Sequence, residues 1–570
     1  MARMISFGGQ NFSKLIENGC FYVDKTMFIK KWWPVDDVTL ITRPRRFGKT
    51  LALSMVERFF SVQYQNQPDI FRKLAIYKDN DMMKLQGTYP VISLSMIDIT
   101  MPTYEEMINS ISSMVRNLFS HVKYGLGYDG MDPDDIEYME TMRKKRYDAN
   151  GRLLPIPEWM IKESVPQLSD ILERKCKNKV IILLDEYDAP LEKAYLCGYW
   201  DKAAEFFGQF YRAMFKSNKH LEKGLITGIS VIPKESLNSP FNTAKPCSVT
   251  APYYEEFFGF TQKEVDAALE EYSMLDKREE VRYWYDGYQF GKKDSMYNPM
   301  SITSMLDRKE FRSYWANSAS NDIVSHVIKH GSNVLKEQFM VLMQGGSIIG
   351  EVNETITYKT LRTSDQTVWG LLLSCGYLKA LEMSGKEYSL AIVNHEVREM
   401  MDDLVKGWFT TEYDDATYGD FIEALLKCDE KKMQSRLATM SRDLMGSFDI
   451  ANKEGEKNPE NFYHGFALGL VASLRKRFYI GSNRESGDGR YDIMLEPKDK
   501  EMDYGILIEF KVFNPEKEKS LDETCARALK QINDKHYDAE LKKHGVPDNR
   551  IVKFGIGYKG KEVSIRKQTA

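Results

Sequence analysis

Short apolar runs recur through the first half of the chain, separated by stretches with helical spacing. Val38 to Ile41, Val91 to Met96, Val180 to Leu184, Leu225 to Ile232 and Cys247 to Thr250 each read as a buried strand. Lys49 to Phe60, Tyr104 to Phe119 and Lys202 to Phe215 carry the apolar periodicity of helices. Strands without a polar face must be covered on both sides, so the alternation predicts an α/β fold built on a mainly parallel sheet with helices on both faces.

The pattern changes beyond this region. Between about Tyr124 and Pro157 periodicity fades into a polar stretch with Gly, Asp and Pro, which reads as a surface insertion. From about Tyr253 to Asn321, FFGFTQKEV, WYDGYQFG and MYNPMSI suggest helices joined by tight turns, a helical lid for the sheet. A more helical stretch runs to Asn452, KEGEKNPEN follows as a linker, and the last segment reads helix, strand, strand, helix, strand. A chain of 570 residues exceeds what one core usually serves. The expected division is a sheet core over 1–250, a helical lid over 251–330, a helical connecting region over 331–452 and a smaller α/β domain over 453–570.

Composition narrows the class only a little. Hydrophobic residues at 42% and charged residues at 28% describe a globular protein rather than a disordered one. A formal net charge of -4 supplies no global field, so any nucleic-acid contact needs a local basic patch. The seven cysteines are scattered without a CxxC pair, which fits a reducing cytoplasm better than a zinc site or disulfide framework. The N-terminus lacks the apolar core of a signal peptide and no run approaches a membrane span, so a soluble cytoplasmic protein is expected.

Candidate chemistry gathers in two places. Arg43-Pro-Arg45-Arg46-Phe47-Gly48-Lys49-Thr50 follows a strand and opens a helix, the context of a phosphate-binding loop. In such a loop backbone N–H groups cradle phosphate, Lys49 reaches the terminal phosphates and the Thr50 hydroxyl joins Mg²⁺. Arg43 stands where the generic motif has Gly. The buried run Val180 to Leu184 ends in Asp185 and Glu186, a candidate Mg²⁺ ligand and a candidate group to polarise water. The additional run Val91 to Met96 lies between these motifs, an order that suits P-loop ATPases with an extra strand between the P-loop strand and the acidic strand. On the later strand, Thr227 is either a γ-phosphate sensor or a plain buried threonine. Lys234 reads as a surface residue before a phosphate ligand, and Arg43, Arg45 and Arg46 either stabilise phosphate or dock on acidic side chains.

The second place is near the C-terminus. Arg490-Tyr-Asp492-Ile-Met-Leu reads as one strand and Gly505 to Phe513 as its neighbour, on which alternation puts Glu509 and Lys511 on one face. Two carboxylates could share one or two Mg²⁺ or Mn²⁺ ions while Lys511 orients water or meets developing phosphate charge. The plainer alternative for Glu509 and Lys511 is a solvated ion pair. Arg475, Lys476, Arg477, Arg484 and Arg490 form either a basic surface for nucleic acid or a solvated face.

Taken together, RPRRFGKT, LLDEYDAP, TGIS followed by PKES, YYEEFFGFTQKEV, WYDGYQFG and MYNP resemble the bacterial AAA-ATPase-like family, whose members often end in a PD-(D/E)XK nuclease-type domain. The resemblance covers nearly the whole chain and makes Arg43 a trait of that family. It implies binding and hydrolysis of ATP, and for the C-terminal domain metal-dependent phosphodiester hydrolysis, with DNA preferred over RNA as partner and a homo-oligomer open. By the same resemblance Glu460 adds a metal ligand from a first helix, and Gln531 and Tyr537 match a Gln and Tyr pair at a longer spacing than usual. His464 touches phosphate or metal, or, as is more usual for such a residue, caps a helix or packs in the core. One departure is Val231-Ile232-Pro233, where the family often has an arginine. A nuclease-like domain that binds without cutting and a ring-forming protein-remodelling ATPase are the rival readings.

Overall fold

The computed structural model describes residues 2–569 except 7, 66, 68, 152, 233–243, 316–323, 325–332, 344, 353–360, 362–363, 385–386, 402–414, 449–470, 472–473, 475–476, 483–484, 487–488, 491, 516 and 560–561. Lys234, Glu460, His464, Arg475, Lys476 and Arg484 therefore lie outside the described residues. Two compact units emerge: Met1–Val327 with Ile349–Val397, and Ile328–Ile348 with Arg398–Ala570.

The first unit is built on five parallel strands: β1 (Val38–Thr42), β2 (Val91–Ser95), β3 (Val180–Asp185), β4 (Leu221–Gly228) and β5 (Ala244–Cys247). Their order in the sheet is β2-β3-β4-β1-β5. The strand between the P-loop strand β1 and the acidic strand β3 is thus β4, which carries Thr227, while β2 lies at the edge. Every residue of β1 and β3 is buried, as runs without a polar face require. Helix α1 (Lys49–Phe60) leaves β1 through the loop and buries Phe59 and Phe60 with Phe28, Trp32, Ile181 and Leu225.

The insertion after α2 (Tyr104–Leu126) is ordered into helix α3 (Pro133–Arg143) and a two-stranded hairpin, Arg146–Tyr147 with Leu153–Leu154. Asp132 caps α3 and Pro133 sits in its first turn, where proline's missing N–H costs nothing. Weak periodicity hid this helix because only Met139 and Met142 of it are buried. The segment read as lid holds helices, among them Pro299–Arg308, and also a small antiparallel sheet of Phe260–Thr261, Lys293–Tyr297 and Tyr288–Phe290. The segment read as helical after it contributes a hairpin, Leu378–Ser384 with Glu387–Ile392. These strands are short or only half buried, so their alternation is weak.

The second unit carries a five-stranded mixed sheet of β6 (Phe478–Ser482), β7 (Ile493–Pro497), β8 (Gly505–Val512), β9 (Ile551–Lys559) and β10 (Glu562–Thr569), in that order. Only β8 and β9 are parallel, and helix α4 (Leu521–Asp534) makes the crossover between them. The helix lies close on β9, since a Cβ at Gly555 would meet the Cys525 carbonyl oxygen at 2.3 Å. On the other face Ile506, Ile508 and Phe510 pack with Leu425 and Leu437 of the helices Asp415–Leu426 and Glu430–Phe448. Strand alternation therefore points Leu507, Glu509 and Lys511 to the α4 side.

Candidate functional site

The loop between β1 and α1 turns through two left-handed residues, Arg46 at φ 68° and Gly48 at φ 85°. Glycine adopts this at no steric cost, and a Cβ at Gly48 would meet nothing within 4 Å, so open space lies beside the helix N-terminus. Phe47 anchors the loop from below, its buried ring 4.8 Å from Tyr288 and 5.1 Å from Phe290. Lys49 is buried and donates to the carbonyls of Arg43 and Pro44 at 3.0 and 3.1 Å, with Glu186 Oε1 3.4 Å away. Thr50 donates to one Asp185 oxygen at 2.6 Å and Thr227 to the other. Burial, and then Glu186, push the Asp185 carboxyl above its usual range against these two hydroxyls. Glu186 itself sits at φ 51°, a strained backbone that turns it out of the sheet. Five predicted residues, Lys49, Thr50, Asp185, Glu186 and Thr227, thus converge at the strand ends.

The three arginines part ways. Arg43 is fully buried and donates to the carbonyls of Thr42, Cys247, Ser248 and Tyr253 at 2.8–2.9 Å, with its guanidinium 4.8 Å from the Phe290 ring centre. Four backbone carbonyls thus hold its guanidinium. Arg45 is half-buried with Nη2 3.4 Å from Glu192, and Arg46 is exposed.

Several residues at this site were not singled out from sequence. Asp188 is buried and accepts from the Ile229 and Ser230 N–H groups at 3.0 and 2.8 Å and from the Ser230 hydroxyl, fixing the turn after β4. Asn298 and the Trp315 indole both donate to the Arg45 carbonyl, at 3.3 and 3.1 Å. Trp315 is held in turn by buried Glu396, which accepts the Tyr314 and Trp315 N–H groups at 2.8 Å. Asn298 lies in the MYNP motif, a signal that carried no role; Trp315 and Glu396 stood in no motif.

In the second unit Asp492 accepts the Phe510 N–H at 2.8 Å, which fixes one carboxylate beside β8. Glu509 is 1% exposed, a depth that rules out the solvated ion pair. Lys511 Nζ stands 3.2 Å from its Oε1, to which Gln531 also donates, and Gln531 reaches the Tyr537 hydroxyl at 3.1 Å. Glu509 Oε2 is buried with no hydrogen-bond partner among the described residues. Burial, and then the charge of Asp492, push the Glu509 carboxyl up to about 8. A buried carboxylate oxygen without a donor beside a second carboxylate fits a divalent cation, which would offset both charges. Among the described residues no group of three or more His, Cys, Asp or Glu side chains gathers around one point. Of the basic residues expected here, Arg477 is bound at 2.7 Å to buried Asp503, so it is not part of a free basic surface.

Two separate segments of the chain match family models. Residues 6–238 match the model described as "Predicted AAA-ATPase", and residues 458–568 match that of the PD-(D/E)XK nuclease superfamily. An uncharacterized protein in the vnfD 5' region of Azotobacter chroococcum mcd 1 is 23% identical over 560 residues, covering 96% of this chain and 95% of that one. Among the described residues no helix is long and apolar enough to cross a membrane.

Proposed function

We propose, for a chain that joins a predicted AAA-ATPase domain to a PD-(D/E)XK nuclease superfamily domain, that it binds and hydrolyses ATP at the first site and cleaves nucleic acid at the second. The observation that carries this reading is common to both units: a largely buried lysine within ion-pair distance of a carboxylate on, or directly after, a strand, Lys49 with Glu186 at 3.4 Å and Lys511 with Glu509 at 3.2 Å.

At the first site the backbone N–H groups of Arg45, Arg46, Phe47, Gly48, Lys49 and Thr50 receive the phosphates, and Lys49 carries the complementary charge. Thr50 and Asp185 hold Mg²⁺, Glu186 accepts a hydrogen bond from the attacking water, and Thr227 reports the γ-phosphate to Asp185. At the second site Asp492 and Glu509 hold Mg²⁺ or Mn²⁺, with Glu460 as a further ligand. The ion supplies positive charge for the phosphate and a more acidic water. Lys511 meets the charge that develops on phosphate, and Gln531 keeps Glu509 in place. DNA is the preferred substrate over RNA, the setting is cytoplasmic, and homo-oligomers are part of the reading. The nucleotide state governs cleavage.

The test is Mg²⁺- or Mn²⁺-dependent cleavage of single- and double-stranded DNA and RNA by wild type, Glu509→Ala and Lys49→Ala, each with ATP or ADP. Cleavage that disappears in Glu509→Ala supports the nuclease assignment. Equal cleavage with ATP, with ADP and in Lys49→Ala removes the coupling. No cleavage of any substrate moves the assignment to a binding protein switched by ATP.

A further inference from the structure

Neither site uses the insertion between α2 and the helix Glu158–Cys176, yet it carries an exposed basic run. Helix α3 opens with Asp134 and Asp135 and closes with Arg143. Two of its carboxylates have cationic partners: Asp135 is 2.7 Å from Arg174, and Glu140 is 2.8 Å from Lys123 and 2.6 Å from Arg143. The next three residues, Lys144, Lys145 and Arg146, are exposed and make no ion pair with a described residue. They lead into the hairpin, whose turn is closed by the Asp148 carbonyl accepting from Gly151 N–H at 3.1 Å.

The hairpin is firmly mounted. Arg116 of α2 donates to the Leu154 carbonyl at 2.7 Å, and Ile156 N–H donates to the Ser112 hydroxyl at 3.1 Å. Aromatic rings stand exposed on the same insertion and its borders: Tyr147 at 57%, Tyr124 at 78% and Trp159 at 68%. Uncompensated cations next to exposed rings match what unpaired nucleic acid presents, phosphates for the cations and base faces for the rings. With a net charge of -4, the chain offers a polyanion no general attraction, so such a local patch is what contact requires.

We propose that this hairpin is a single-stranded nucleic-acid contact surface on the first unit, with Lys144, Lys145 and Arg146 on phosphates and Tyr147 stacking on a base. It needs neither ATP hydrolysis nor cleavage, and none of its four residues belongs to either candidate site.

The experiment is fluorescence anisotropy of labelled single-stranded DNA, RNA and duplex DNA with the full chain, in EDTA and at several salt concentrations. The charge-reversed K144E/K145E/R146E chain, checked for unchanged thermal unfolding, is expected to bind single strands at least tenfold more weakly. Its log affinity against log salt should be shallower by about 2, since each phosphate contact contributes roughly 0.7 for single strands. Tyr147→Ala should weaken binding by about fivefold or more and leave the salt slope unchanged. Wild-type affinity and slope in the charge-reversed chain overturn the proposal, as does a wild type that prefers duplex or binds none of the three. Loss of cleavage in Glu509→Ala with oligonucleotide binding intact bears on the nuclease reading alone.

Discussion

The carboxylates Asp185 and Glu509 differ in how completely their oxygens are satisfied. In the first unit Asp185 has a hydroxyl on each oxygen, and Lys49 donates to two carbonyls besides facing Glu186. In the second, Glu509 has one oxygen contacted by Lys511 and Gln531 and the other buried without a donor. A buried charge in low dielectric must be paired, hydrogen-bonded or neutralised. At the first site Asp185 meets this requirement with two hydroxyls, so ligand binding at Asp185 exchanges existing hydrogen bonds for new ones, while Asp188 Oδ1 nearby is buried without a donor among the described residues. At the second, burial and the charge of Asp492 favour a proton on Glu509, and a cation would replace that proton.

The largest expected effect tests whether the second site depends on its unsatisfied carboxylate. Glu509→Gln should lower metal-dependent cleavage by at least about a hundredfold, as removal of a charge-stabilising group does, measured as the initial rate on a labelled oligonucleotide. Retention of activity would make the buried oxygen incidental.

Next comes the support of the first site. Arg43→Met removes the donor of four backbone carbonyls, and leaving such buried acceptors unpaired should cost about 3 kcal/mol or more, read from urea unfolding of the first unit. A loss of ATP binding without loss of stability would instead assign Arg43 to phosphate.

A smaller effect sharpens the contrast between the carboxylates. Thr227→Val leaves one Asp185 oxygen without its hydroxyl and should cost about 1–3 kcal/mol. Thr227→Ser should restore most of that in the same unfolding measurement. If valine costs nothing, Asp185 does not rely on internal donors.

The last effect is one of pH. Folded Glu509 titrates at about 8 against an ordinary 4.5, so between these values the folded chain holds a proton that the unfolded chain has released. The contribution of Glu509 to the stability of the second unit in chelator should therefore be complete below pH 4.5 and be lost as pH rises through 8. Glu509→Gln should flatten that decline in thermal unfolding followed across the same window. Because metal and proton compete, added Mg²⁺ should stabilise the wild-type unit more at high pH than at low.

Sequence reached the strand ends of both sites because their signals are local. A lysine and threonine opening a helix after a buried run, and two carboxylates ending another, lie within a few residues of one another, and the sheet then aligns them. Alternation likewise assigned Glu509 and Lys511 to one strand face. It was less informative where elements are short or half exposed. The hairpin Leu378–Ser384 with Glu387–Ile392 fell within a stretch read as helical, and α3 fell within a stretch read as irregular.

What the sequence by itself determined, then, is the parallel sheet of the first unit, the α/β character of the last segment and the side chains that meet at β-strand ends. Burial pattern and side-chain period are properties of neighbouring residues, so they are written along the chain. Tertiary structure alone decided that Arg43 serves the carbonyls of Cys247, Ser248 and Tyr253, and that Glu396 holds the Trp315 backbone while the Trp315 indole holds the Arg45 carbonyl. It alone left one Glu509 oxygen without a donor. These outcomes depend on groups from 81 to 270 positions apart meeting in space, and on how much water the fold excludes from between them.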